Sequence, residues 1–487
     1  MSAAQSQSTL KAKLKALQCH FTWDIEPNSK LFRIKDKLED IGTDEGNSWL
    51  GHIYNLQGYI HYQLSIQYQQ SSTEDARRFF SKATEAFRRS RNTISNEGPW
   101  LLVNYGNLAW LHHHLGEQAE CQTYLSKVDA LLKEYPSPSQ DELHPETYAE
   151  KAWTLMKFDK DQYLLAADYF QRAIRMQPDM VEWNSSHVIA LVKAYKYSNS
   201  LEEEILEKMK MATEQDPENL YLAGHYLEQR AMKEERIEDE AHELARKVLR
   251  NPVSSYSGLK ELLWIYRKYV SVDEAIDLAE EALEKHPDKR FLKWCAALCY
   301  EWRILLDRDS RVKQSTIDRA ISLHREVISL YPQQSTSLLK KIALANIYAK
   351  SNYGLAEAEK IYQELLVSNL EPAEKQMLYH YYAKYLQVHR RDYNRSEEYY
   401  MKAAKMPRQS FFRENSIKVL MRIKETNRSR RPRELEEFLA NLEVQKILNP
   451  AESVGTPLPK KSAHSHRSDS GKPEKICGSH RNKYHFK

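Results

Sequence analysis

Residues Tyr163–Pro178, YLLAADYFQRAIRMQP, decide how the chain folds. Tyr163, Ala166, Phe170, Ala173 and Pro178 stand at relative positions 1, 4, 8, 11 and 16. At 3.6 residues per turn this spacing places the small and aromatic residues on one stripe of a helix. The small residues let a second helix approach, the aromatic ring fills the gap between the two, and the proline stops the helix. The stretch therefore reads as the second helix of a packed pair.

The pattern recurs as VDEAIDLAEEALEKHP, with Val272, Ala275, Ala279, Ala282 and Pro287 in the same register. Looser copies carry Ala76, Phe80 and Ala83; Cys121, Leu125 and Val128; Ile205, Met209, Ala212 and Pro217; and Ala241, Ala245 and Val248. Further copies carry Ala320, Val327 and Pro332; Ala358, Tyr362 and Leu365; and Ser396, Tyr400, Ala403 and Pro407. This is the signature of the tetratricopeptide repeat, in about nine copies. The stop prolines at 178, 217, 252, 287 and 332 are 39, 35, 35 and 45 residues apart. An ideal repeat is about 34 residues long, so the excess predicts insertions, notably ILLDRDSRVKQST at residues 304–316. One helix pair cannot bury its apolar face alone, and neighbours must stack into an all-α superhelix whose inner surface is lined by the first helix of each pair. Four segments are expected: an N-terminal helical cap (1–45), the repeats (46–407), a basic helical segment (408–448) and a basic tail (449–487). The tail is rich in Pro, Ser, His and Lys and too poor in apolar residues to fold, so disorder is expected there.

Glycine is scarce at 13 residues while tyrosine reaches 30 and charged residues 29%, which favours helix over sheet. No apolar run approaches the roughly 18 residues that span a bilayer, and the N-terminus lacks a secretory apolar core; a soluble, cytosolic protein with no membrane partner is expected. The five cysteines form no CxxC pair, and buried free thiols are expected for Cys295 and Cys299. The net charge of +4 is unevenly spread: residues 405–433 hold ten Lys/Arg against Glu414 and Glu425, and residues 449–487 hold eight Lys/Arg against three acids. The repeats themselves are mildly acidic, so affinity for a polyanion there requires a local groove.

No phosphate-binding glycine loop, HExxH or GxSxG motif is present, and no enzyme activity, cofactor or metal is expected. The run His112-His113-His114 points its side chains in three directions around a helix and cannot gather on one ion. Binding is the chemistry left. The first helices read YNLQGYIHYQ, YAEKAWTLMKF, HVIALVKAYKY, GLKELLWIYRKY and LYHYYAKYL, in which aromatics interleave with lysines. Bases stack on rings and phosphates need positive charge, so such a groove suits nucleic acid; the alternative is a stripe of core aromatics with solvated lysines.

Three segments, LQCHFTWDI (Leu17–Ile25), NYGNLAWLHHHLGEQAECQTYLSKVDAL and PETYAEKAWTLMK, together resemble the vertebrate interferon-induced proteins with tetratricopeptide repeats, and the resemblance spans about residues 10–405. It implies a cytosolic antiviral effector that takes the 5′ end of foreign RNA, as a triphosphate or an incompletely methylated cap, into a basic tunnel and blocks its translation. By the same resemblance Trp153 and Lys157 match a tunnel tryptophan and a phosphate-binding lysine. Tyr163, Ile189, Lys193 and Lys260 fall at further RNA-contacting positions, the two lysines in place of arginines. Ser257 and Glu261 replace tyrosines, Cys295 replaces a glutamine, and Asp40 lies near another expected glutamine on the N-terminal helix that closes over the phosphate. On this reading Lys157 and Lys193 converge on the phosphates, and Trp153 offers a face on which the first base or a cap stacks. Self-association or pairing with a paralogue, and contact with translation-initiation factors, are the implied protein partners. Two other readings stand beside it: a scaffold that binds partner proteins with little RNA affinity, and a duplex reader acting through Arg428, Arg430, Arg431 and Arg433.

Overall fold

The computed structural model describes residues 3–25, 31–43, 47–69, 72–91, 97–139, 141–158, 160–195, 203–251, 254–306, 312–351 and 354–448. The expected disordered tail, the stop at Pro252 and the middle of the 304–316 insertion lie outside them. Among the described residues there are twenty-two α-helices and no strand. Two precede the repeats, α1 (Ala3–Ala16) and α2 (Leu31–Ile41). Nine helix pairs follow: α3 (Leu50–Tyr68) with α4 (Thr73–Arg91), α5 (Leu102–His114) with α6 (Gln118–Glu134), α7 (Pro145–Phe158) with α8 (Tyr163–Met176), α9 (Val181–Tyr195) with α10 (Glu203–Gln215), α11 (Leu220–Met232) with α12 (Glu238–Arg250), α13 (Leu259–Tyr269) with α14 (Val272–Lys285), α15 (Arg290–Leu305) with α16 (Gln314–Leu330), α17 (Gln334–Lys350) with α18 (Leu355–Leu366), and α19 (Pro372–Tyr385) with α20 (Tyr393–Lys405). The basic segment folds as α21 (Phe411–Glu425) and α22 (Pro432–Leu448), and α21 packs on both helices of the ninth pair.

Local chemistry sets the helix ends. Ser271 caps α14 by accepting from the Asp273 and Glu274 backbone N–H groups at 3.2 and 3.4 Å, and those two acids in the first turn favour the positive end of the helix dipole. Asn219, Asp392 and Ser410 cap α11, α20 and α21 in the same way. Pro372 opens α19 where its missing N–H costs nothing, and a Glu371–Glu374 capping box secures that end.

The repeat positions are the core. Ala166, Phe170 and Ala173 of α8 and Ala275, Ala279 and Ala282 of α14 are at most 1% exposed. In the first pair the small residue is on α3: a Cβ on Gly58 would stand 2.7 Å from the Phe80 ring of α4, so only glycine lets that ring reach the α3 backbone. Every pair buries its stripe this way, and each second helix from α8 onward also packs on the first helix of the next pair. Phe170 meets Trp49 edge-on with ring centroids 6.2 Å apart, joining the α8 stripe to α3 across a pair boundary. Phe170→Ala is expected to cost about 3–5 kcal/mol, the usual toll for truncating a fully buried aromatic, and to lower the midpoint of chemical denaturation followed by circular dichroism.

Candidate functional site

Most first helices of a stacked array leave one face open, but α7 does not: every residue from Pro145 to Phe158 except Lys151 is buried. Two N-terminal pieces cover it. The CHFTW segment inserts between α5 and α7, where the His20 backbone N–H donates to Asn107 Oδ1 at 3.1 Å and its ring Nε2 lies 3.1 Å from Thr154 Oγ1. Burial pushes His20 down to about 3, so the ring is neutral, a hydrogen-bonded core histidine. The segment that carries the family resemblance is thus a plug in the inner surface.

The second piece is α2, which packs on α3, α7 and α17 and so bridges early and late repeats. Its far end is clasped by Arg290, which donates from Nε to Asp40 Oδ1 at 2.8 Å, from Nη1 to Asp36 Oδ1 at 3.1 Å and from Nη2 to the Asp36 carbonyl at 2.8 Å. Tyr331 donates to Asp40 at 2.8 Å, and the Arg290 guanidinium lies 4.4 Å from the Tyr331 ring centroid. Lys340 lies 4.1 Å from the centroid of the same ring, and burial brings its ammonium group down to about 8. Arg290 Nη1 also lies 2.9 Å from Glu39, and a planar guanidinium serving three carboxylates and a carbonyl fixes both position and direction of α2. Asp40, expected near the phosphate, instead belongs to this clasp; burial raises its carboxyl while Arg290 and Tyr331 oppose the rise.

Between plug and clasp lies Lys157, 6% exposed. Its ammonium group stands 4.1 Å from the Trp153 ring centroid and 5.2 Å from that of Tyr256, and it donates a hydrogen bond to the Tyr256 hydroxyl. Among the described residues no carboxylate pairs with it. Burial drives its pKa well below that of a free lysine, and Lys193 and Lys37 push it further the same way. Lys37, on α2, reaches the Lys157 carbonyl at 3.4 Å, and Lys193, on α9, lies 5.1 Å over the Tyr221 ring. Glu150, two turns back on α7, accepts from Asn55 at 2.8 Å, and burial raises it to about 8, so it holds its proton at neutral pH. The wall beyond is built of Tyr163, Tyr221 and Tyr256, the last two with ring centroids 5.2 Å apart. Glu261 and Glu228 add negative charge near Tyr221.

The structure therefore brings Lys157, Lys193 and Tyr163 into one buried neighbourhood, with Ile189 in the surrounding core at 7% exposed. It corrects the role expected of Trp153. That ring is 2% exposed, stacked on Trp49 at 5.8 Å with 14° between planes on one side and covered by the Lys157 ammonium group on the other, so no face is open to a base. Lys260 does not join the group either: it is exposed, lies 5.0 Å over the Trp294 ring, and acts on Cys295 one helix pair away. Cys295 and Cys299 are buried free thiols. Sequence reasoning missed Lys37 and Tyr256, because α2 and the loop before α13 carry no repeat register from which to place them, and Tyr221, which stands on α11, a first helix not among those read for interleaved aromatics and lysines.

Two outcomes follow from this geometry. Replacing Arg290 with Met is expected to speed hydrogen exchange across residues 31–41 by at least tenfold, read by mass spectrometry, with α7 backbone protection changing less. Lys157→Met is expected to raise the melting temperature at neutral pH, since it removes a buried amine whose charged form meets no carboxylate. The folded pKa of Lys157 lies below its unfolded value of 10.5, so between the two the unfolded chain binds more protons and wild-type stability climbs with pH; the advantage of the Met variant should shrink as pH rises towards 10.5.

No family model matches the chain. Over 449 residues it is 24% identical to human IFIT1 homolog B, covering 87% of this chain and 90% of that one. Mouse interferon-induced protein with tetratricopeptide repeats 2 is 25% identical, covering 86% and 87%. Among solved structures, a monomeric IFIT1 mutant with Gppp-AAAA aligns with a TM-score of 0.67 at 22% identity over 91% of this chain and 98% of that chain. The human IFIT1 dimer with PPP-AAAA gives 0.63 at the same identity over 91% and 97%. The structural likeness establishes the common superhelical fold, and the resemblance read from the CHFTW segment and the repeats is borne out: along 87% of its length the chain is similar to the interferon-induced proteins with tetratricopeptide repeats.

Proposed function

We propose that this protein binds the phosphorylated 5′ end of foreign RNA at the buried lysine cluster around Lys157, and acts as a cytosolic antiviral effector that withholds the RNA from translation. The observation that carries the reading is the gathering of Lys37, Lys157 and Lys193 without a carboxylate to neutralise Lys157. Mutual repulsion among cations in a space of low polarity costs stability, and an anion that supplies several charges at once relieves it. A triphosphate fits that requirement. Human IFIT1 has been solved with PPP-AAAA and with m7Gppp-AAAA, which supports carrying an RNA-end ligand over to this chain.

The covered state of Trp153 favours a phosphate end over a stacked cap here. Stacking on that ring would first require Lys157 to leave its face, at the loss of a cation–aromatic contact worth about 1–2 kcal/mol. Lysine at 193 supplies charge without the two-pronged grip of arginine, so the pocket reads charge more than phosphate geometry. No bond is made or broken; the RNA is held, and its effect on translation is sequestration.

Purified protein tested against one RNA sequence bearing a 5′-triphosphate, a cap or a 5′-hydroxyl is expected to prefer the triphosphate. Lys157→Glu should weaken that binding at least ~30-fold, the worth of about 2 kcal/mol. Lys193→Ala should lower the slope of log K against log salt by about 0.7. Equal affinity for all three ends, unaffected by Lys157→Glu, contradicts the reading. Loss of binding only on removal of residues 405–487 would transfer the activity to the basic segment.

A further inference from the structure

The acceptor that Lys157 uses is not a carboxylate or a carbonyl but the hydroxyl of Tyr256, a residue outside the repeats. Its ring packs on Tyr221 at 5.2 Å and faces the ammonium group of Lys157 at the same distance. The loop that carries it is fixed at its neighbours: the Ser255 N–H donates to the Asp40 carbonyl at 2.9 Å, and the Tyr256 N–H donates to Ser254 Oγ at 3.2 Å. Through Asp40 that loop is joined to the Arg290 clasp. Tyr256 is therefore held where a ligand oxygen would meet Lys157.

We propose that Tyr256 is a specificity-determining residue of this site: its hydroxyl occupies Lys157 in the empty protein, and only a ligand end with enough negative charge to displace it engages the lysine. The inference rests on the reading of this space as an anion site. A neutral phenol oxygen satisfies an ammonium group but cannot match the attraction of a polyphosphate for three clustered cations. The hydroxyl thus subtracts a fixed amount from every ligand that uses Lys157 and nothing from a ligand that does not. A triphosphate overcomes the deduction, whereas a 5′-hydroxyl end never meets it. A monophosphate falls between. The groups that face Lys157 and Tyr256 are Lys193 from α9, Lys37 from α2, Tyr163 at the start of α8 and Tyr221 from α11, with Glu261 and Glu228 acting on Tyr221.

Tyr256→Phe tests this, because it keeps the ring on Tyr221 and removes only the oxygen. Binding is measured by titration calorimetry with wild type and variant against tripolyphosphate and against one RNA bearing 5′-triphosphate, 5′-monophosphate or 5′-hydroxyl, with thermal melting as a check on the fold. The variant is expected to bind tripolyphosphate and triphosphate RNA about tenfold more tightly, equivalent to 1.4 kcal/mol, to gain partly for monophosphate RNA, and to leave hydroxyl RNA unchanged. A weaker or unchanged affinity for triphosphate RNA, where wild type binds it, overturns the proposal, as does an equal gain for hydroxyl RNA. If tripolyphosphate binding tightens but no RNA binds either protein, the assignment of Tyr256 stands and the RNA reading fails. If neither ligand binds either protein, both fall. Should Tyr256→Phe melt at a much lower temperature, Tyr256→Leu with the same four ligands separates loss of the hydroxyl from loss of packing: a gain for triphosphate RNA that persists in the leucine variant supports the displaced oxygen, and its disappearance counts against it.

Discussion

A single helix pair of this chain has more apolar surface than it can bury within itself, and everything else in the structure follows from that shortfall. The alanines and aromatics at the repeat positions need a partner on each side, so nine pairs stack and the core becomes a row of clusters running along the chain. Stacking of this kind leaves the inner faces of the first helices uncovered. In the N-terminal third the chain covers them with its own residues, the CHFTW plug and α2, and in doing so buries α7 almost completely.

Enclosure changes the meaning of charge. A lysine on an open inner surface is solvated and inexpensive, but Lys157 is cut off from water and has only a phenol oxygen to hold. Glu150 on the same helix does not compensate, because the same burial holds its proton on. At the other end of α2, by contrast, burial is matched by pairing: Arg290 meets Asp36, Glu39 and Asp40. One helix thus links an arginine matched by carboxylates to a buried lysine whose acceptor is a phenol, and the difference separates a structural contact from a candidate binding site.

The architecture was legible because a proline stop and three stripe positions repeat at a near-constant interval, which local physics turns directly into a helix pair. Lys157 was legible for a similar reason, standing one turn from Trp153 in a first helix, and Lys193 follows from the next repeat. Trp153 shows where this logic ends. Its spacing from Lys157 predicts the cation–aromatic contact that is observed, yet nothing local reveals that Trp49, more than a hundred positions earlier, takes the other face. Asp40 and Lys260 fail similarly, since which helix each meets depends on how far the stack turns between α2 and α15.

The sequence by itself determined the helix pairs, their number and register, the buried stripe of each, and the choice of Lys157 and Lys193 as neighbouring cations, because these depend on periodicity within a repeat and between adjacent ones. Only the tertiary structure decided that α2 crosses the interior, that Arg290 holds it there, and that Lys37, Tyr221 and Tyr256 complete the space around Lys157. Those contacts join residues separated by up to 254 positions, and they are set by the cumulative rotation of the stacked pairs, a quantity that no single repeat encodes.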